Sequence, residues 1–239
     1  MEENKNKSLA VPIAIVVAGL LVAGTLLYTN ISSDKKGAAG NNQNDKFASV
    51  VVNVRPVDAT DHLIGDPNAP VKIIEYSDLE CPFCKSFHAT MQAIMQSELG
   101  RNGKVAWVYR NFPLAQLHSK AVDEAEAAEC AGKIGGNLKF WEFINKIFEI
   151  TPSNNNLDLS ELSKTAMAIG LDSSQFQSCL DSNEMLDRVN NDLADAIKGG
   201  GAGTPWTVVT TQSGKTFVIN GAEPYAVVLK IVQTAVDSQ

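Results

Sequence analysis

Apolar residues change their spacing several times along the chain, and each change predicts an element. Residues 8–28, SLAVPIAIVVAGLLVAGTLLY, carry no charge and are apolar apart from Ser8 and Thr25. A run of about 20 apolar residues spans the hydrocarbon core of a bilayer, so a transmembrane helix is expected after a short tail, residues 1–7. Val22-Ala23-Gly24 is a weak cut site for a cleaved signal peptide. Leu26, Leu27 and Tyr28 carry the apolar run past it, which favours an uncleaved anchor. Residues 29–48 are polar, rich in Gly and Asn, and without apolar periodicity, the pattern of a flexible stalk. A folded domain is expected over 49–239.

Within that domain, Val71–Tyr76 is β-rich after the turn cluster Asp66-Pro67-Asn68-Ala69-Pro70 and predicts a mainly buried strand. From Pro82 to Gly100 the spacing becomes helical, with Phe83, Phe87, Met91 and Ile94 at threes and fours. KVAWVYR at 104–110 predicts a second strand. Helices then take over: an Ala-rich run to Gly132 that Ser119 can cap, and Asn137–Ile150 with Phe140, Trp141, Ile144, Ile147 and Phe148 on one face. Ser160–Ile169 follows, then a short helix bearing Cys179 whose Asp172 and Gln175 resemble a capping box, then Ser182–Lys198. Strands return at Trp206–Thr211 and Thr216–Ile219, joined by a hairpin turn at 212–215, and Ala222–Val236 is the closing helix. The predicted class is α/β, with a helical block at about 115–198 inserted between two halves of a β-rich frame.

Composition narrows the function. The chain has 239 residues, 44% hydrophobic and 20% charged, which is ordinary for a globular protein. A net charge of −7 argues against a nucleic-acid partner, which would need a basic face. Neither a phosphate-binding glycine loop nor an HExxH zinc helix is present. All four cysteines, Cys81, Cys84, Cys130 and Cys179, follow the apolar run. An even number on one side of a membrane favours an oxidising exterior, although reduced intracellular thiols would give the same count. Lys5 and Lys7 balance Lys35 and Lys36, so charge does not orient the anchor.

The candidate chemistry lies at 79–88, LECPFCKSFH, where a strand turns into a helix. Proline is favoured at the first helical position, which makes Cys81 the N-cap. The free amides of Phe83 and Cys84 and the helix dipole then favour a thiolate at Cys81. Cys81 is expected to be exposed and acidic, and Cys84 more buried and less easily ionised: one sulfur attacks and the other resolves. A metal site is the competing reading, with His88 as a third ligand beside the two cysteines. Structural zinc usually takes four ligands in two close pairs, and no second CxxC exists. Otherwise His88 is a boundary histidine beneath the turn, able to tune the thiolate.

Several ordered segments, DPNAPVKIIEYSDLECPFCKSFH, YRNFPLAQLH, AAECAGKIGGNLKFWEF, GLDSSQFQSCLDS, GTPWTVV and FVING, together resemble the DsbA-like branch of the thioredoxin superfamily, in its membrane-tethered bacterial form. The resemblance covers roughly residues 60–237. It implies a thioredoxin fold with a helical insertion and thiol–disulfide exchange on exported proteins, which needs no cofactor beyond the sulfurs. It also implies that Cys81 is the nucleophile, Cys84 the resolving thiol, Thr204-Pro205 the cis-proline loop that binds substrate backbone, and Glu75 a buried acid beneath the pair. The alternative for Glu75 is a strand carboxylate turned to solvent. Three positions depart from the pattern. Phe83 stands where strong oxidants carry histidine, Trp206 follows the proline and is expected to narrow the substrate groove, and Ile144-Asn145 replaces a frequent His-Asp pair without catalytic consequence.

These readings predict a single-pass protein of the cytoplasmic membrane whose catalytic head faces outward. It would donate the Cys81–Cys84 disulfide to exported proteins with free thiols and be recharged by a membrane quinone-linked thiol oxidase. A disulfide isomerase or reductase with the same site is the alternative, followed by a metal-binding module on the same fold. Cys130 and Cys179 fall in helices of the insertion and are expected to form a structural disulfide; two separate buried thiols are the alternative.

Overall fold

The computed structural model describes residues 47–239; the expected anchor at 8–28 and nearly all of the stalk lie outside them. Among the described residues no helix is long and apolar enough to cross a membrane. Phe47, two residues before the expected domain boundary, already packs, with the Lys230 ammonium 4.3 Å from its ring centre.

Among the described residues, five strands form one sheet in the order β1-β3-β2-β4-β5: β1 (His62–Gly65), β2 (Val71–Ser77), β3 (Val105–Asn111), β4 (Trp206–Thr211) and β5 (Thr216–Asn220). The β2–β3 pair is parallel and the other three pairs are antiparallel. Side chains alternate across the pleat, so Val71, Ile73 and Glu75 face one side while Ile74 and Tyr76 face the other. The parallel pair needs a crossover, and α1 (Pro82–Gln96) and α2 (Glu98–Arg101) provide it. Phe87, Met91 and Ile94 of α1 are buried against the first face, as their spacing predicts, but Phe83 is 65% exposed at the mouth of the helix.

The helical block splits. α3 (Ala121–Ile150) breaks at Gly136, whose φ of 76° and ψ of −175° suit only glycine. Its start is at Lys120 rather than Ser119, whose amide and hydroxyl donate instead to Asn155 Oδ1 at 2.5 and 3.1 Å. α3, α4 (Ser160–Ala168) and α5 (Ser173–Ser182) pack on the same face as α1, with Trp141 4.6 Å from Trp107 and Phe140 5.5 Å from Tyr109 between ring centres. Asp172 Oδ1 caps α5 by accepting the Gln175 amide at 2.8 Å. α6 (Leu186–Gly199) crosses to cover the opposite face, beginning four residues later than expected because Ser182 ends α5. α7 (Tyr225–Asp237) returns to the α1 face.

Cys130 and Cys179 form a disulfide with Cα atoms 5.9 Å apart, tying α3 to α5. On the α6 face, Arg110 is fully buried and donates to Asp61 (2.9 Å) and Asp195 (2.9 Å). Arg55 joins the same cluster through Asp61 and Asp192, which fixes the segment before β1 to α6.

Candidate active site

Both cysteines of the CPFC turn are free thiols at the start of α1. Cys84 is fully buried, and the Asp78 amide donates to its sulfur at 3.4 Å. Cys81 is the N-cap residue with Pro82 after it, as expected. It is not exposed, however: only 4% of its surface is accessible, because the Thr204–Pro205 loop lies over it. The Cys81 thiol donates to the Thr204 carbonyl at 3.6 Å, and the Thr204–Pro205 peptide bond is cis.

The cause of Cys81 acidity also differs from the expected order. No full capping hydrogen bond forms at its side chain. The largest stabilisation of the thiolate comes from the Cys84 thiol, with the amides of Cys84 and Phe83 and the Thr204 hydroxyl adding to it. Together they outweigh burial and bring Cys81 from 9.0 down to about 6. Burial pushes Cys84 well above an ordinary thiol, and the charges at Cys81 and Glu75 push the same way. The two sulfurs of one turn are thereby separated into an acidic and a reluctant thiol.

Beneath them the sheet presents a polar row. Register places Tyr109 and Thr207 on either side of Glu75, all on the α1 face. Glu75 is fully buried, which excludes the solvent-facing alternative, and the Trp107 indole donates to its Oε2 at 3.0 Å while Oε1 has no hydrogen-bond partner among the described residues. Burial lifts Glu75 from 4.5 to about 7, so it can hold or release a proton near neutrality. Tyr109 is also fully buried, and its hydroxyl is kept un-ionised by burial and by the charges at Glu75, Cys84 and Asp78. No motif marks Tyr109 or Trp107; only the alternation within KVAWVYR, aligned with Glu75, could have found them.

His88 lies deeper in α1, its Nε2 paired with Asn145 Oδ1 at 2.6 Å and its ring against Trp107 and Phe148. Burial lowers it to about 4, so it is neutral at physiological pH and offers the thiolate no cation. Asn145 therefore has a structural role as the partner of His88. Among the described residues, no three His, Cys, Asp or Glu side chains converge to hold a metal. Trp206 does not narrow the groove. Strand alternation turns it to the α6 face, 5.2 Å from Tyr76 between ring centres, and its neighbour Thr207 takes the cysteine side.

Comparison with known proteins agrees with this geometry. A family model described as Thioredoxin matches residues 58–220. The chain is 34% identical over 171 residues to Na(+)/H(+) antiporter NhaA 1 of Mycobacterium sp. (strain KMS), covering 70% of this chain but only 25% of that protein. It thus spans about a quarter of that relative's length. Probable disulfide bond formation protein D of Bacillus anthracis is 28% identical over 207 residues, 84% of this chain and 87% of that one. The crystal structure of Pseudomonas aeruginosa DsbA2 superimposes with a TM-score of 0.62 at 29% identity, covering 75% of this chain and 96% of that one. The matched span contains the CPFC turn, the strands that present it and the proline loop, and the chain belongs to the thioredoxin superfamily in its DsbA-like branch.

Proposed function

We propose that the protein is a thiol–disulfide oxidoreductase that donates the Cys81–Cys84 disulfide to exported proteins. The observation that carries this reading is the geometry of the turn: Cys81 caps α1 beneath the cis Thr204–Pro205 loop and Cys84 is fully buried behind it, which brings Cys81 down to about 6 and raises Cys84. A stabilised thiolate stabilises the reduced form, and a stabilised reduced form makes its disulfide a stronger oxidant.

In this reading a substrate thiolate attacks Cys81 Sγ, the Cys81–Cys84 bond breaks, and Cys84 leaves with the electron pair. Cys84 then takes a proton, for which Glu75 below it is the poised donor. A second substrate thiolate attacks the substrate sulfur of the mixed disulfide and expels Cys81 as the favoured thiolate. Two electrons pass from substrate to enzyme, so a second protein must reoxidise the pair. The Thr204–Pro205 loop offers backbone beside Cys81 for an extended substrate segment, and Phe83 offers an exposed apolar contact.

The same reading includes a membrane-tethered protein with its catalytic head outside, recharged by a quinone-linked membrane oxidase. The apolar run at 8–28 and the Cys130–Cys179 disulfide support it, because disulfides persist in oxidising compartments. An isomerase or reductase would share the turn but would not need an acidic Cys81 to drive net oxidation. The test is oxidation of a reduced, unfolded secretory protein by stoichiometric oxidised enzyme, together with labelling of Cys81 in intact reduced cells by a membrane-impermeant thiol reagent. Rapid disulfide transfer and labelling without lysis are expected. Transfer no faster than with glutathione disulfide, or labelling only after lysis, would overturn the corresponding half of the proposal.

A further inference from the structure

The residue immediately before the nucleophile is Glu80, and its carboxyl is fully buried. Glu124, in the first turn of α3, is also fully buried and in side-chain contact with it. None of their four carboxyl oxygens has a hydrogen-bond donor among the described residues. A proton held between the two touching acids pairs two of these four buried oxygens, one as donor and one as acceptor, whereas two carboxylates in contact could offer each other none. Ionising both would place two like charges in contact in a medium that solvates neither.

The surrounding groups do not relieve the pair. Asp78, in the β2–α1 connection, is itself acidic; its Oδ1 accepts the Glu80 amide at 2.8 Å, and its Oδ2 accepts Leu114 N at 2.8 Å and pairs with His118 Nδ1 at 2.8 Å. Lys120, before α3, is near enough to favour ionisation of Glu124, but its ammonium donates to the Leu157 carbonyl at 2.5 Å. Burial first, and contact with Glu80 next, raise Glu124 from 4.5 to about 9.

The helical block grips this residue a second time. The Asn154 amide donates to the Glu80 carbonyl at 2.9 Å, and Lys85, one helical turn beyond Cys81, donates to the Thr151 carbonyl at 2.6 Å. We propose that Glu80 and Glu124 share one proton, and that this pair is a positioning element for thiol–disulfide exchange. It fixes the residue preceding Cys81 against the helical insertion and holds a single negative charge beside the nucleophile. The inference rests on Cys81 being the attacking sulfur. It goes beyond that reading in assigning Glu80 and Glu124 control over how acidic Cys81 becomes.

The test uses the full chain in detergent. Infrared spectra of the wild-type protein from pH 6 to 10 should show the carbonyl stretch of a buried protonated carboxylic acid that survives past pH 8 and disappears above about pH 9. Glu75 should lose its own band earlier. This reading needs no variant and no exchange activity, so its failure is distinguishable from failure of the oxidoreductase assignment. Absence of the late band overturns the shared proton. The second measurement is alkylation of Cys81 against pH. Glu124→Gln supplies an amide donor in place of the acid O–H and leaves one negative charge, so its titration should stay within about twofold of wild type. Glu80→Gln combined with Glu124→Gln removes that charge and should raise the thiolate fraction below the midpoint about threefold. If Glu124→Gln alone shifts the titration by half or more of the double variant's shift, the pair does not hold one shared charge and the proposal fails. If neither moves it and only melting temperatures change, the pair is merely structural and the positioning role is wrong.

Discussion

Replacing Glu75 with glutamine isolates the buried acid beneath the cysteines. Its carboxyl is fully buried and moves from 4.5 to about 7, chiefly through burial. At about 1.4 kcal/mol per pH unit, that rise makes the folded state about 3 kcal/mol less stable above pH 8 than below pH 4.5, from this group alone. The sign follows from the direction. A folded-state pKa raised above the unfolded one means the native protein binds more protons between the two values. The contribution is therefore complete below about 4.5 and lost as pH rises through about 7. The glutamine amide does not titrate, so the difference in unfolding free energy between wild type and Glu75→Gln should change by about 3 kcal/mol from about pH 4.5 to 8.5. Urea denaturation at half-unit intervals measures it, and subtracting the two curves cancels groups common to both proteins. Parallel curves would show that Glu75 does not titrate near neutrality, and would remove it as a proton donor to Cys84. In the same variant, expulsion of Cys84 during disulfide transfer should slow most at about pH 6 to 7, where Glu75 carries a proton in wild type.

Replacing both Cys130 and Cys179 with Ala opens a bridge spanning 49 positions. In the chain-entropy model this costs about 4 kcal/mol, or roughly 8–16 °C in Tm for a domain of this size, while the Cys81 titration stays in place. Calorimetry and alkylation check the two halves. Phe83→His puts an imidazole on an exposed site between the sulfurs; its cation should lower Cys81 by about one pH unit and speed alkylation at about pH 5. His88→Phe should leave Cys81 unmoved, because His88 is already neutral, and should cost about 1 kcal/mol in denaturant through the lost Asn145 bond.

Signals confined to a few neighbouring residues make part of this molecule readable in advance. Pro82 after Cys81, a β-rich run before it and helical spacing after it place both sulfurs at a helix start without tertiary knowledge. The burial of Cys81 is not legible, because its cover arrives from Thr204 and Pro205, more than a hundred residues away. Trp206 misleads for a related reason: adjacency to the proline loop suggests the groove, whereas strand alternation sends the ring to the opposite face. β1 escapes notice because four residues are too few to show an alternation, and it owes its strand conformation to pairing with β3. The helical block looks continuous in sequence, yet α6 crosses the sheet to meet Tyr76 and Arg110, where its Asp195 pairs with buried Arg110 and its Asp192 with the partly exposed Arg55. Glu80 and Glu124 carry no pattern at all; only folding brings them together.

The central claim is that one turn makes two unlike thiols, and alkylation of the reduced protein against pH measures this directly, with mass spectrometry assigning each site. Cys81 should titrate near about pH 6, clearly below a free thiol, while Cys84 stays unreactive across the range in which the protein remains folded. Two thiols titrating together at or above about 8.5 would contradict the account.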